Sequence, residues 1–235
     1  MHRPLLVLLV LTVSAPAPAA ERRLFLWSFT RLRVEGGVRV TVGGGGSPGG
    51  TVAEDSDAPD AVEVRQNGDT VTVRRPLARN TGAPANAGQP VAVTLSTPAL
   101  TAVSVVGAGA VTVAGMKGDR IDLLVAGTGE IAVAGAEATE LVATSIGAGR
   151  ITVAGRAARV RLVGNGAGSI KADGLDAAEL SVRLDGPGEA TGRARYTATI
   201  TNVGLGRVTI AGSPRCTVQS VAGGPVSCGT AAPAR

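Results

Sequence analysis

The sequence predicts an all-β fold, a single-stranded parallel β-helix, and three observations carry that prediction. Between Leu100 and Gly229 a G-x-G corner recurs every 18 to 20 residues: Gly107/Gly109, Gly127/Gly129, Gly147/Gly149, Gly166/Gly168, Gly186/Gly188 and Gly204/Gly206, with a degenerate seventh at Ala222-Gly223-Gly224. That period is the length of one coil in a stacked β-solenoid. The segments between corners alternate apolar and polar residues with period two, as strands with one buried face do. The composition, 44% hydrophobic but 2% aromatic with 34 glycines, suits a thin core of small aliphatic side chains.

Residues 1–20 read as a secretory signal peptide, with a charged Met1-His2-Arg3 start, an apolar run from Leu5 to Val13, and the small-x-small signal Ala17-Pro18-Ala19. The apolar run is too short to span a bilayer, and no later stretch is long enough to do so. No cysteine stands at the cleavage site to accept a lipid. An exported chain is expected, in the periplasm, at the cell surface or secreted. Cleavage would remove Arg3 and the only histidine, His2, and lower the formal net charge from +5 to +4. The surplus arginines suit acidic glycans or lipid headgroups. They are dispersed among carboxylates with no isolated basic run, so a nucleic-acid partner is not expected.

Residues 21–99 are expected to cap the helix. Leu32 and Val34, then Val38, Val40 and Val42, alternate around Gly36-Gly37 as two half-buried strands. Phe25, Trp27 and Phe29 sit at strand spacing and are expected to cover the open N-terminal end of the core; a platform stacking on sugars is the functional alternative. A Gly-rich and then acidic loop spans 43–60. Its Glu54, Asp55, Asp57 and Asp60 are the sole candidates for a Ca²⁺ site, but they match no calcium-loop spacing, so no metal and no cofactor are expected. Ala61–Arg65 and Thr70–Val73 form a hairpin around Asn67-Gly68. After a loop from Leu77 to Pro90, the strand Val91–Ser96 leads through Pro98 into the coils. No segment has the 3.6-residue apolar period of an amphipathic helix.

Residues 100–229 are the regular coils, followed by a flexible tail, 230–235. Two residues after each corner stand Val111, Ile131, Ile151, Ile170, Ala190, Val208 and Val226; four after stand Val113, Val133, Val153, Ala172, Gly192, Ile210 and Cys228. Six before each corner stand Thr101, Ile121, Leu141, Val160, Leu180, Ala198 and Cys216; four before stand Val103, Leu123, Ala143, Leu162, Val182, Ile200 and Val218. These four columns should face inward from two opposite walls. Glycine at the corners permits the positive φ of a tight bend. Coils stacking at about 4.8 Å make a rod roughly 30 to 35 Å long, wound right-handed by the general preference of parallel crossovers.

The outward columns hold a candidate ligand-facing ladder, Thr112, Thr152, Lys171, Thr191 and Thr209, and two structural charge ladders. One charge ladder runs Arg120, Glu140, Arg159, Glu179; the other sets Glu130 beside Arg150 and Glu189 beside Arg207. Opposite charges on neighbouring strands favour this register, each modestly. Cys216 and Cys228 occupy inward slots on the two walls of the last coil. In an oxidising compartment this predicts a disulfide that closes the terminal coil.

The run Val91-Ala-Val-Thr-Leu-Ser-Thr-Pro98-Ala-Leu100 followed by G-x-G corners, the Asn67-Gly68 hairpin, and Gly212-Ser213-Pro214 before a terminal coil resemble the GIN domain, also called the auto-transporter adhesin head domain, over residues 28–229. The resemblance implies a parallel β-helix on an exported bacterial envelope protein. It brings no catalytic residues, and the translocating β-barrel of a self-exporting adhesin is not part of this sequence.

Without a histidine in the exported part, a Ser-His-Asp triad and histidine metal sites are excluded. Nucleotide loops need a helix after the glycines, and here a strand follows each corner. The expected function is therefore a non-catalytic envelope-associated binding or adhesion module, whose partner is an envelope component such as a glycan or another protein. Two alternatives remain: a polysaccharide-acting β-helix enzyme using Asp173, Asp185 or Glu189, or a structural protein that self-associates through its coil ends.

Overall fold

The computed structural model describes residues 20–54, 62–76 and 91–230. It is an all-β solenoid of about six turns with no helix among the described residues. The strands are β1 (Ala20–Leu24), β2 (Arg31–Glu35), β3 (Arg39–Gly44), β4 (Gly49–Glu54), β5 (Glu63–Asn67), β6 (Thr70–Arg74), β7 (Ala92–Thr97), β8 (Ala102–Gly107), β9 (Ala110–Val113), β10 (Met116–Gly127), β11 (Glu130–Gly147), β12 (Arg150–Asn165), β13 (Ser169–Asp185), β14 (Glu189–Asn202), β15 (Arg207–Gly212), β16 (Arg215–Ser220) and β17 (Val226–Thr230).

Each coil has three straight runs where the sequence predicts two. In β11 the buried residues are Ile131 and Val133, then Ala136, then Leu141, Ala143 and Ser145. The parity of alternation breaks after Val133 and again before Leu141, and each break is a bend. The extra run is a short wall whose inward residues include Met116, Ala136, Ala157, Leu175, Ala177 and Ala194. Its residues are mostly alanine, so its periodicity is hard to tell from a loop. The four predicted inward columns are buried from Val103 to Ile210, and only the ends depart. Thr101 is half-buried, with its hydroxyl donating to the Thr30 carbonyl at 3.3 Å.

On the first wall the strands stack in the order β1, β4, β7, β3, β9, β11, β12, β13, β14, β15, β17. On the long wall the order is β5, β6, β2, β8, β10, β11, β12, β13, β14, β16. The coil formed by β2 and β3 therefore lies between the β6–β7 coil and the β8–β9 coil. Pairing is parallel except at the N-terminal end, where β1–β4, β4–β7 and β5–β6 are antiparallel.

That end is capped differently from the expectation. Phe29 is fully buried, but Phe25 and Trp27 are 96% and 84% exposed. The side chains that close the core are Leu24, Leu26, Val62 and Val64. Residues 24–26 alternate like a strand, and the aliphatic parity, rather than the aromatic one, faces inward.

The corners explain why two glycines recur. The first of each pair from Gly107 to Gly186 has positive φ, between 96° and 120°. The second has an ordinary φ but no room: a Cβ on Gly149 would lie 2.3 Å from Val125 Cγ1 and 2.8 Å from the Gly129 carbonyl, and one on Gly206 would lie 2.2 Å from the Gly188 carbonyl. The corners thus approach backbone to backbone and hydrogen-bond from coil to coil, as in Glu130 N to Gly109 O at 2.8 Å and Arg150 N to Gly129 O at 2.9 Å.

Beside each corner runs a further inward column that the sequence reading misses: Val105, Val125, Ser145, Gly164, Leu184, Asn202. Where it turns polar, the side chain clasps its own corner. Ser145 Oγ donates to the Gly149 carbonyl at 3.4 Å and Asn202 Nδ2 to the Gly206 carbonyl at 2.8 Å. Ser220 repeats the contact with Gly224 at 3.3 Å.

Cys216 and Cys228 form the predicted disulfide. Cys216 is solvent-exposed rather than buried, because among the described residues no further coil stacks over β16.

Gly149→Ala is expected to cost about 1–3 kcal/mol through overpacking. Gly37→Ala, with nothing within 4 Å of the added Cβ, should be near neutral, and urea midpoints compare the two. Replacing both cysteines by alanine withdraws roughly 3 kcal/mol of loop constraint; hydrogen exchange should quicken in β16 and β17 while β10–β13 stay protected. In the cap hairpin, Arg74 donates to Glu63 at 2.7 Å and, opposed in part by desolvation and aided by Arg65, holds its carboxyl below the ordinary 4.5. The stabilisation is present above that value and is lost as pH falls through the lowered one. Urea midpoints of the wild type and Glu63→Gln should therefore differ at neutral pH and converge in acid.

Candidate functional site

The outer face of the first wall carries the longest uniform feature on the rod. Register pairing aligns Thr51, Thr94, Thr41, Thr112, Ala132, Thr152, Lys171, Thr191, Thr209 and Ser227 in one column across ten strands. The predicted ladder from Thr112 to Thr209 is its middle. Thr41, Thr94 and Thr51 extend it because β3, β7 and β4 stack on the coils. Sequence reasoning placed those strands in a cap; the signal was the shared R-V-T-V and A-V-T-L alternation of β3 and β7.

Thr41, Thr94, Thr112, Thr152, Lys171 and Ser227 are exposed, and Thr51, Thr191 and Thr209 are half-buried. β-Branched residues suit the pleated surface. Strand spacing of about 4.8 Å sets the repeat of the hydroxyls along the rod. Each hydroxyl offers one donor and two acceptor lone pairs, so the column can hydrogen-bond a polar chain lying along the axis. Thr191 is partly committed, because its Oγ1 donates to Asp173 Oδ1 at 2.9 Å.

Next to this column, towards the corner, stand Arg39, Ala110, Glu130, Arg150, Ser169, Glu189 and Arg207 in register. Glu130 and Arg150 approach to 4.0 Å. The long wall aligns Arg120, Glu140, Arg159 and Glu179. Arg120 reaches Glu140 at 3.0 Å and its neighbour Asp122 at 2.8 Å; the hydrogen bond that Arg120 donates to Asp122 is the main cause that raises the Arg120 pKa. The short wall carries a third alternating ladder that the sequence reading missed, Lys117, Glu137, Arg156, Asp176, Arg193. Lys117 meets Glu137 at 3.3 Å, and Asp176 meets Arg195 at 3.3 Å. An open depression of about 560 Å³ runs beside it, lined by Lys117, Asp119, Glu137, Thr139, Arg156 and Arg195 among others.

The three carboxylates considered for catalysis fall in different surroundings. Asp173 lies in an irregularity between Ala172 and Asp176 and accepts from Thr191. Asp185 ends β13 and Glu189 begins β14, on the two sides of the Gly186–Gly188 corner, with Glu189 registered against Arg207. Asp55, Asp57 and Asp60 lie outside the described residues, as does the side chain of Glu54. Among the described residues no group of three or more His, Cys, Asp or Glu could hold a metal ion, and no helix is long and apolar enough to cross a membrane.

No curated protein matches this chain in sequence. Among solved structures it is similar to a "putative adhesin" from Bacteroides fragilis, at 19% identity and a TM-score of 0.79, covering 90% of this chain and 96% of that one. It is also similar to a "putative lipid binding protein" from Parabacteroides distasonis, at 17% identity and a TM-score of 0.72, covering 91% and 97%. A "putative adhesin" from Parabacteroides merdae shares 17% identity with a TM-score of 0.69, covering 92% and 98%. At such identities the likeness is one of fold. Residues 28–214 match the sequence model described as "Putative auto-transporter adhesin, head GIN domain", and the chain belongs to that family.

Proposed function

We propose that this chain is an exported, non-catalytic binding module of the cell envelope, with the threonine column of the first wall as its ligand-bearing face. The observation that carries the reading is the register of that column, ten strands long, beside the charge ladders. Its family of adhesin heads supports a binding role. The disulfide fits an oxidising compartment. A row of hydroxyls at fixed spacing suits a repeating polar polymer, and a polysaccharide is the chemical class we assign. Asp173 accepts from Thr191 and Glu189 is registered against Arg207, which favours binding over bond cleavage.

A second reading rests on the C-terminal end. Every residue of β16 is exposed, and its outer edge has no strand partner among the described residues. Such an edge is a template for pairing between copies. Light scattering over a concentration series tests it, and a strict monomer at high concentration would count against it.

Co-sedimentation with peptidoglycan and outer-membrane fractions across a salt series tests the first reading. Saturable, salt-insensitive binding is expected, and Thr112→Val with Thr152→Val and Thr209→Val should weaken it at least tenfold. Steep salt loss would move the binding to the arginines. No binding to any fraction would sink the reading.

A further inference from the structure

The long wall changes character partway along the rod. On β10 and β11 its outward charges, Arg120, Asp122 and Glu140, are joined to one another, and Leu124 and Val142 stand among them. On β12, β13, β14 and β16 the same three outward columns hold four arginines, Arg159, Arg161, Arg183 and Arg215, against one carboxylate, Glu179. Between the arginines stand the hydroxyls of Ser181, Thr197, Thr199, Thr201 and Thr217. All of these residues are exposed except Thr201, which is half-buried.

None of the four arginines has an ion pair or a side-chain hydrogen bond among the described residues. Arg159 stands in register between Glu140 and Glu179, but Glu140 is held by Arg120 at 3.0 Å. Asp185 stands one column farther along, at the corner. Like charges on neighbouring strands repel, so the fold gains nothing by setting Arg161 and Arg183 diagonally beside each other. Ser181 is in register with Arg161 on one side and Thr199 on the other, and Arg183 follows it by two positions on the same face. Neighbouring strands lie about 4.8 Å apart and same-face residues of one strand about 7 Å, so both guanidiniums and both hydroxyls can reach one ligand. An open depression of about 230 Å³ lies here, lined by Arg159, Arg161, Ser181, Thr197 and Thr199 and by Glu140 and Glu179 among others.

Guanidinium forks pair with carboxylates in a bidentate way, and hydroxyls set between them suit the hydroxyls of a sugar ring. These columns hold no aromatic ring on which a nucleic-acid base could stack and no apolar stripe for an acyl chain. We propose that the C-terminal half of the long wall binds an acidic polysaccharide, with Arg161 and Arg183 holding a sugar carboxylate and Ser181 and Thr199 hydrogen-bonding the ring that bears it. The site lies on a different wall from the threonine column and does not depend on it: binding here falls with salt and survives the threonine substitutions.

The purified protein is titrated calorimetrically with polygalacturonate, with its methyl ester and with inorganic polyphosphate. Saturable binding to polygalacturonate is expected, weakening as salt rises, with the methyl ester about tenfold weaker. Arg161→Gln combined with Arg183→Gln should weaken polygalacturonate binding about tenfold and leave the urea midpoint unchanged, since neither side chain has a partner to lose. Ser181→Ala with Thr199→Val should weaken it about threefold. Arg156→Gln with Arg193→Gln removes the same charge from the short wall and should bind like the wild type, as should the threonine-column variant. Absence of binding to polygalacturonate, equal binding of its methyl ester, or an equal loss in the long-wall and short-wall arginine variants would overturn the proposal. So would polyphosphate binding as tightly as polygalacturonate, which would make the face one for any polyanion.

Discussion

The whole molecule depends on the close approach of backbone to backbone at the corners. A Cβ on Gly129, Gly149, Gly168, Gly188 or Gly206 would lie between 2.2 and 2.8 Å from the corner carbonyl one coil back. Parallel strands on three walls can keep hydrogen-bonding distance only if the bends between them stack just as tightly. A side chain at one bend would tilt that coil and lengthen the hydrogen bonds of every wall it joins. The two glycines of each corner solve different problems, one the sign of φ and the other the space. The space is shared with the column ending in Asn202, whose side chains lie against the corner of the next coil.

With the corners fixed, register is the next requirement, and charge supplies it on every wall. On the long and short walls an outward column alternates sign from coil to coil, so a strand displaced by one coil would meet a like charge on both, and the first wall adds the neighbouring pairs Glu130–Arg150 and Glu189–Arg207. These pairs are exposed and individually weak. Their value is in discriminating between neighbouring coils whose aliphatic cores are nearly interchangeable, since Ile131 and Ile151, or Val133 and Val153, could trade places with little loss of packing. The threonine column is a long row free of that duty.

The coils were legible because one coil constrains the next: the same column repeats seven times, and alternation with period two tells inside from outside. The disulfide followed from the same frame. What stayed hidden has physical causes. The short wall is built of alanines and glycines that carry little contrast between faces. The third charge ladder sits on it and was missed for that reason. The ends obey no repeat, so the strand spacing of Phe25, Trp27 and Phe29 points to a cap of aromatics, while the decisive feature is the parity of Leu24 and Leu26. The threonine column was read at half its length, because its upper part comes from β3, β7 and β4, which are neighbours in space but out of order in sequence.

That order bears on how the molecule is made. A chain delivered N-terminus first presents β2 and β3 before either of the coils that flank them exists. Arg31 waits for Ala102, and Arg39 for Ala110. Closing so long a segment costs entropy before any contact rewards it. The first coil is thus stitched into the stack late, between two coils that both follow it in the sequence. From β10 onward every coil finds its neighbour about twenty residues back and can be laid down as it emerges. Assembly divides into one slow, long-range closure followed by a fast unidirectional zipper, and a chain cut short before residue 113 would lack the complete β8–β9 coil on which β10 and β11 stack.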